Sequence, residues 1–449
     1  VINRTTGLDA GQTINMHKAV ELQTSLPRLF VTQPWAMAFK HQTWDGYVLS
    51  AASNVMIHVV ADPTTGAAVV QNDPTDATRV QQISVGKNPR GIVINTQDTR
   101  AYVMNYVSRD ISVIALTGGP ERLIGSMQSA NLPVPGSQED IIHVGRELYN
   151  TSVGVFDAAT EGGPFIRGRM SNNGWGSCGS CHPNSLTDNV VWIFPAGPRR
   201  TIPQNGDFDP ESEGHAGMRM LNWSSNRDEQ EDFELNIRGV SGGQGLIVLG
   251  NGVTPDPNVA DFVPLASAGR NQLKVHGVNA WDAITEFVKF GMRTPISPLP
   301  KNDVDVVAGR ELFVSANCQS CHGGASWTSS RVRFNPPPQA GQVVAGQLAS
   351  ELRPVGTFDP NVFNEVRQNA AAPLGAAGFV PPSLLGIHAY PQTFFHNGIA
   401  SSLDQVMDNV THRAAGTAGV DTLSNASDRS KLVKFLQSID SATVPVTIP

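Results

Sequence analysis

Cysteine is scarce in this sequence, long apolar runs are missing, and no initiator methionine stands at its start. No apolar stretch is long enough to cross a bilayer, so a membrane-spanning helix is not expected. The net charge of -7 carries no basic excess, which argues against nucleic acid as a partner. The four cysteines all fall in two short motifs, Cys178-Gly-Ser-Cys181-His182 and Cys318-Gln-Ser-Cys321-His322, so none remains for a disulfide. What is plentiful is glycine (43) and proline (31), the mark of a loop-rich chain. The apolar fraction of 40% suffices for ordinary cores, and 449 residues imply two or three domains.

The spacing of the cysteine motifs carries chemistry. Two thiols at Cys-x-x-Cys add to the two vinyl groups of one porphyrin, and the histidine that follows lies under the iron. Zinc is the alternative for such a pair, but it leaves the adjoining histidine unexplained twice. Two covalently bound haem c groups are therefore expected, one on Cys178, Cys181 and His182, the other on Cys318, Cys321 and His322. Haem is attached to such motifs outside the cytoplasm. A periplasmic or extracellular location is expected, with an export signal removed ahead of Val1.

The first 128 residues contain an internal repeat. Pro34, Tyr47 and Ser53 recur as Pro89, Tyr102 and Ser108, a spacing of 55 residues. Each unit reads as short β-branched strands separated by polar turns. The second unit, through Ile83-Ser-Val-Gly-Lys-Asn-Pro89 and the segment after it, resembles a blade of the YVTN-type β-propellers. A closed propeller needs about four to eight blades, so residues 1–128 are expected to be an incomplete propeller, completed by a missing segment or a protein partner. From about Glu139 the pattern turns to helices and long loops. Gly145-Arg-Glu-Leu-Tyr149 precedes the first cysteine motif and Gly309-Arg-Glu-Leu-Phe313 the second. In the second copy Val304, Val307, Ala308, Leu312 and Phe313 are expected to form the apolar face of a leading helix. Leu432, Val433, Phe435, Leu436 and Ile439 would form the stripe of a closing helix. The expected architecture is multidomain: all-β propeller-like repeats (1–128), then two mainly α cytochrome c-type haem domains (129–300 and 301–449), divided at Thr294-Pro-Ile-Ser-Pro-Leu-Pro300.

Residues from about 140 to 440 resemble the bacterial di-haem cytochrome c peroxidase and MauG superfamily, including the di-haem rubber oxygenases. The anchors, in order, are the first haem motif, Gly197-Pro-Arg199, Trp223, the second haem motif, and Pro382-Ser-Leu-Leu385 leading to Phe394-Phe-His-Asn-Gly398. The resemblance implies a reactive first haem with an open side, a six-coordinate second haem that passes electrons, and a conducting tryptophan between them at Trp223.

Departures from that pattern shape the expectations. Classical peroxidases carry a histidine before Gly-Pro-Arg that caps the first haem, whereas Asp188 to Gly197 holds none and the capping position falls near Val190. The first haem is expected to be open, with His215 a loop histidine. Arg200 stands where the family's calcium-binding asparagine usually stands, so a guanidinium in the cation's place argues against calcium. The distal ligand of the second haem aligns with Val410, which cannot bind iron. His412 is the expected ligand and Met407 the runner-up. Peroxide cleavage needs a proton carrier. In the run Asp228-Glu-Gln-Glu-Asp-Phe-Glu234, Glu234 and Glu231 are the candidates, with Arg238 to stabilise developing charge. Three functions compete: a peroxidase fed by a small cytochrome or cupredoxin, placed first; a MauG-like or rubber-oxygenase-like oxidase or oxygenase using peroxide or oxygen on an organic or protein substrate; and a non-catalytic electron-transfer cytochrome.

Overall fold

The computed structural model describes residues 13–62, 64–158, 168–194, 197–209, 218–225, 227, 229–259, 269–330, 352–361, 365, 375–390 and 392–449. His215 and Asp228 lie outside them. Two compact units result, each assembled from separated segments: Val1–Ser180 with Glu234–Pro257 and Asn271–Ile284, and Cys181–Phe233 with Asn258–Arg270 and Thr285–Pro449. The boundaries expected near residues 128 and 300 fall inside these units. No helix among the described residues is long and apolar enough to cross a membrane.

In the first unit, helix α1 (Met16–Glu21) is capped by the Asn15 side chain. It leads into two antiparallel sheets. Strands β1 (Pro34–Phe39), β2 (Gly46–Ser50), β3 (Val55–Ala61) and β4 (Ala68–Val70) pair in order, β5 (Asn72–Asp73) and β6 (Asp76–Val80) form a separate hairpin, and β7 (Gln82–Ser84) also pairs with β3. The second sheet is a plain meander of β8 (Pro89–Ile94), β9 (Arg100–Asn105), β10 (Asp110–Ala115) and β11 (Arg122–Gln128). The sequence repeat is thus a structural one. Register slips follow Pro34 in β1 and Pro89 in β8. Non-glycine residues take left-handed backbone at Gln33 and Asn54, and again at Asn88 and Arg109. Strand alternation splits the side chains between two cores. Tyr47, Leu49 and Met56 meet Ala101, Val103 and Ile114 in one, while Val48, Ile57 and Val59 turn to Val20 in the other. Two sheets of this kind are present among the described residues, and they close no propeller ring.

Helix α2 (Gln138–Asn150) carries Gly145–Tyr149 and begins at a reciprocal cap. Ser137 accepts from the Asp140 amide, and Asp140 accepts from the Gly136 amide. It belongs to the β-rich unit because Glu147 pairs with Lys87 at 2.5 Å, and the next turn of chain is held by the Ser152 amide donating to the Ala52 carbonyl. Helix α3 (Cys178–Cys181) is the first cysteine motif. Hairpin β12 (Val191–Phe194) and β13 (Gly197–Arg200) follow, then α4 (Glu234–Gly239) and α5 (Ala280–Glu286), which runs on into a π turn, Phe287–Gly291.

The second unit holds α6 (Val304–Ser315), α7 (Gln319–His322), α8 (Leu403–Asp408), α9 (Val410–Arg413) and α10 (Ala426–Gln437). The buried face of α6 differs from the one expected. Val306, Gly309 and Phe313 are inside, whereas Val304 is 79% and Val307 46% exposed. The crossing of α10 sets that face: a Cβ at Gly309 would lie 2.2 Å from the Lys431 carbonyl oxygen. Leu432, Val433, Phe435, Leu436 and Ile439 are buried as expected. Phe313, Trp327 and Phe435 pack as a three-ring cluster, with centroids 5.5 to 6.0 Å apart. A buried ion pair braces the loops: Arg219 Nε donates to Asp207 Oδ1 at 2.7 Å, with both side chains about 1% exposed. Burial pushes the Asp207 carboxyl up, and Arg219 pulls it the other way.

Two stability predictions follow from this packing. Gly309→Ala, which in a free helix would gain about 1 kcal/mol, should instead cost about 1–3 kcal/mol by overpacking the α6–α10 crossing, read from equilibrium denaturation. Arg219→Met should cost about 3–5 kcal/mol by leaving Asp207 buried alone, and the double variant Arg219→Met/Asp207→Leu should recover most of that loss.

Candidate functional site

The second motif is positioned by the end of α6. Asn317 takes a left-handed turn, and the Cys318 amide reaches back to the Phe313 carbonyl at 3.0 Å. One helical turn later the His322 amide bonds the Cys318 carbonyl at 2.9 Å. Both thiols and the imidazole of this motif line a cavity walled by apolar residues such as Leu384, Ile387, Phe394 and Leu436. Burial pushes Cys178 up to about 11 and Cys318 up to about 12, so neither is a standing thiolate at neutral pH.

Across this cavity His322 faces His412. His322 Nδ1 donates to the Pro382 carbonyl at 3.1 Å, which leaves the lone pair of Nε2 for a metal. His412 stands on α9, whose start is capped by Asn409 accepting from the His412 amide at 2.9 Å. The ring centroids are 6.3 Å apart and the planes cross at 76°. A ligating imidazole nitrogen lies about 2.0–2.1 Å from a transition metal and about 1.2 Å from its own ring centre, so two imidazoles sharing one metal ion have centroids about 6.4 Å apart. The observed gap fits one iron. Burial lowers both histidines to about 4, which keeps them neutral and able to ligate at pH 7. Met407 lines the same cavity. Phe395 presents its ring edge-on to His412, with centroids 5.5 Å apart.

His182 is also buried and lowered to about 4, by desolvation first, with the Leu186 and Ile202 backbones opposing and Arg219 adding to the fall. Its Nδ1 and that of His412 make no well-formed hydrogen bond among the described residues, while the Leu186 and Ile202 backbones act on the first ring and the Val406 backbone on the second. The Cys181 carbonyl accepts from the Asp188 amide at 3.0 Å, folding the chain back after the motif. Four free cysteines, neutral buried imidazoles and an apolar cavity suit a porphyrin.

Trp223 lines the cavity of the second motif. It donates through Nε1 to the Arg200 carbonyl at 2.7 Å and meets Phe379 and His396 edge to face. His396 stacks on Phe379 at 3.7 Å and bonds Glu365 at 2.7 Å through Nε2. The acidic candidates separate. Glu231 is buried in the turn Gln230–Phe233. Glu234 is wholly engaged: it accepts from the Leu246 and Ile247 amides, Trp281 Nε1 and Arg238 Nε, at 2.8 to 3.1 Å. Arg238 spends its remaining nitrogens on the Asp256 and Ile247 carbonyls. Glu234 and Arg238 therefore brace α4 from within. Glu365, Arg353 and the Asp207–Arg219 pair were not singled out from the sequence. They are isolated charges in loops, without periodicity or motif to mark them.

No protein-family model matches the chain. It is 24% identical over 192 residues to the cytochrome-c peroxidase IdrP2 of Denitromonas iodatirespirans, a match covering 39% of this chain and 52% of that protein. The chain thus spans about half the length of this curated relative. Among solved structures, a hydrazine synthase chain of Kuenenia stuttgartiensis, studied under 20 bar of xenon, is 16% identical with a TM-score of 0.38, over 72% of this chain and 100% of that one. A MauG-like protein associated with microbial copper homeostasis is 17% identical with a TM-score of 0.39, over 67% of this chain and 89% of that one. In the peroxidase match and in its two tandem Cys-x-x-Cys-His motifs, the chain is similar to the bacterial di-haem cytochrome c peroxidase and MauG superfamily.

Proposed function

We propose that the chain is a di-haem c-type oxidoreductase that reduces hydrogen peroxide at the His182 centre with electrons relayed from the His322 centre. The observation that carries this reading is the opposed pair His322 and His412, 6.3 Å apart. It saturates one iron and suits that centre to electron transfer alone. The other motif has no histidine between Asp188 and Gly197 to cap it. The name of the matched relative supports peroxide as the oxidant.

In this reading Cys178 and Cys181 hold one porphyrin by thioethers and Cys318 and Cys321 the other. The bound haems supply the redox chemistry, and the protein supplies placement and protons. His322, fixed by the Pro382 carbonyl, and His412, fixed by the α9 cap, would be the residues that hold the iron of this haem. Imidazole in place of thioether favours ferric iron. Trp223, buried against Phe379 and His396, carries electrons away from this cavity. Glu231 moves a proton from the near peroxide oxygen to the leaving one. Glu234 and Arg238 keep α4 in place. Two electrons and two protons convert one peroxide to two waters. The electron donor is a small exported cytochrome or cupredoxin, and the chain itself works outside the cytoplasm.

The test uses the full chain, matured in a host that attaches haem c, with a reduced small cytochrome as donor. Peroxide should drive saturable oxidation of the donor. Glu231→Gln should lower that turnover by about 10²–10⁴-fold with haem content unchanged. His412→Ala should keep two haems per chain while turning one from low-spin to high-spin in its absorption spectrum. A doubly loaded chain that does not oxidise the donor with peroxide sinks the peroxidase reading. Oxidation of an organic or protein substrate instead would move it to the MauG-like class.

A further inference from the structure

A charged feature of the second cavity is not used by the relay. Arg200 ends β13 and is 3% exposed, yet its Nε and Nη1 have no hydrogen-bond partner. Its guanidinium lies over ring faces, 5.8 Å from Trp223 and 5.5 Å from Tyr390. A buried guanidinium stays charged and has no acceptor atoms of its own, so donors left unmade are costly. Arg353 presents a second buried, unpartnered Nε to the same cavity.

The two arginines belong to one contiguous patch. Arg200 covers Trp223, Trp223 meets Phe379, and Phe379 is bridged to Arg353 by reciprocal backbone bonds of 2.9 and 3.1 Å. The nearby anions make no direct bond to Arg200, although the Asp188 charge acts on its guanidinium and Glu365 Oε2 is unpartnered among the described residues. Asp188 accepts from Trp192 Nε1 and the Val190 amide at 3.0 Å each, and Glu365 Oε1 accepts from His396 and Asn397. The rest of the lining is mostly apolar and its third arginine, Arg413, is paired with Asp421, so Arg200 and Arg353 are the cations in this wall that would meet anions brought by an occupant. A porphyrin held at Cys318 and Cys321 brings two carboxylates.

We propose that Arg200 and Arg353 form a carboxylate subsite in this cavity, binding the propionates of the haem held by Cys318, Cys321 and His322. The inference rests on the haem reading of the site. Arg200 would then supply, as a fixed guanidinium, the positive charge that a bound cation supplies elsewhere. Arg353 would take the second propionate. Removing either charge favours ferric iron and frees a carboxylate.

The experiment measures the low-spin haem of the intact, matured chain. Haem is counted first, by the alkaline pyridine spectrum. Redox titration and redox-difference infrared spectra follow, for the native protein and for Arg200→Gln, Arg353→Gln and Arg200→Lys. Each glutamine variant should shift the ferric-to-ferrous ratio at a fixed ambient potential at least tenfold toward ferric, about 59 mV for one electron. Each should also move the propionate carboxylate band, and Arg200→Lys should shift both less than Arg200→Gln. Loss of haem loading in Arg200→Gln but not in Arg200→Lys supports the same charge requirement. Fully loaded glutamine variants with the native potential and an unmoved carboxylate band overturn the subsite. A native chain that carries no haem at Cys318 and Cys321 fails the haem reading instead.

Discussion

The spacing between His322 and His412 is the constraint on which the second unit depends, and several separate elements are needed to hold it. His322 is placed by α6, whose height is set where Gly309 lets α10 pass within contact of its backbone. The ring is turned by the Pro382 carbonyl, which belongs to the Pro382-Ser-Leu-Leu385 segment. His412 arrives from the other side on α9, a helix of four residues that depends on its Asn409 cap for a defined start. A change of one ångström in any of these would leave two neutral imidazoles in an apolar cavity with no common partner. The close-packed trio Phe313, Trp327 and Phe435 behind the motif resists such a change, because rings packed at interior density have no room to shift.

Three arrangements of buried charge among the described residues differ in kind. Arg219 and Asp207 neutralise one another directly. Glu234 is surrounded by donors from two backbone amides, a tryptophan and Arg238, so the carboxylate is part of the fold. Arg200 lies over the rings of Trp223 and Tyr390, with no hydrogen-bond partner at Nε or Nη1 among the described residues. The first two are closed arrangements and the third is open. That difference separates charges that hold the chain together from a charge awaiting a ligand, and sequence position alone does not reveal it.

The cysteine motifs, the closing helix and the 55-residue repeat were legible because each is a local pattern. Left-handed turns at Gln33 and Asn88, and at Asn54 and Arg109, mark the same repeat in the backbone. The face of α6 was misread because Val304 and Val307 fit a helical stripe, while the contact that decides the face is made by a glycine, which adds nothing to an apolar pattern. Glu234 was read as a catalytic candidate from its place in an acidic run. Its spacing of four from Arg238 was the available signal for an internal pair. The assembly of each unit from separated segments was not legible at all. It rests on contacts such as Glu147 with Lys87, made between a helix and a sheet that differ in every local pattern.

The second cavity, read as a haem site, carries two opposing influences on its iron. Two imidazoles favour the ferric state relative to the thioether that Met407 would offer. A buried guanidinium favours the ferrous state, because reduction adds a negative charge beside a fixed positive one in a medium of low dielectric. Arg200 also lies over the ring of Trp223, so its charge would act on that side chain as well as on the iron. A cation over an indole disfavours loss of an electron from it. In the proposed relay the same charge would make Trp223 harder to oxidise, so that a hole formed on it would be refilled rather than persist.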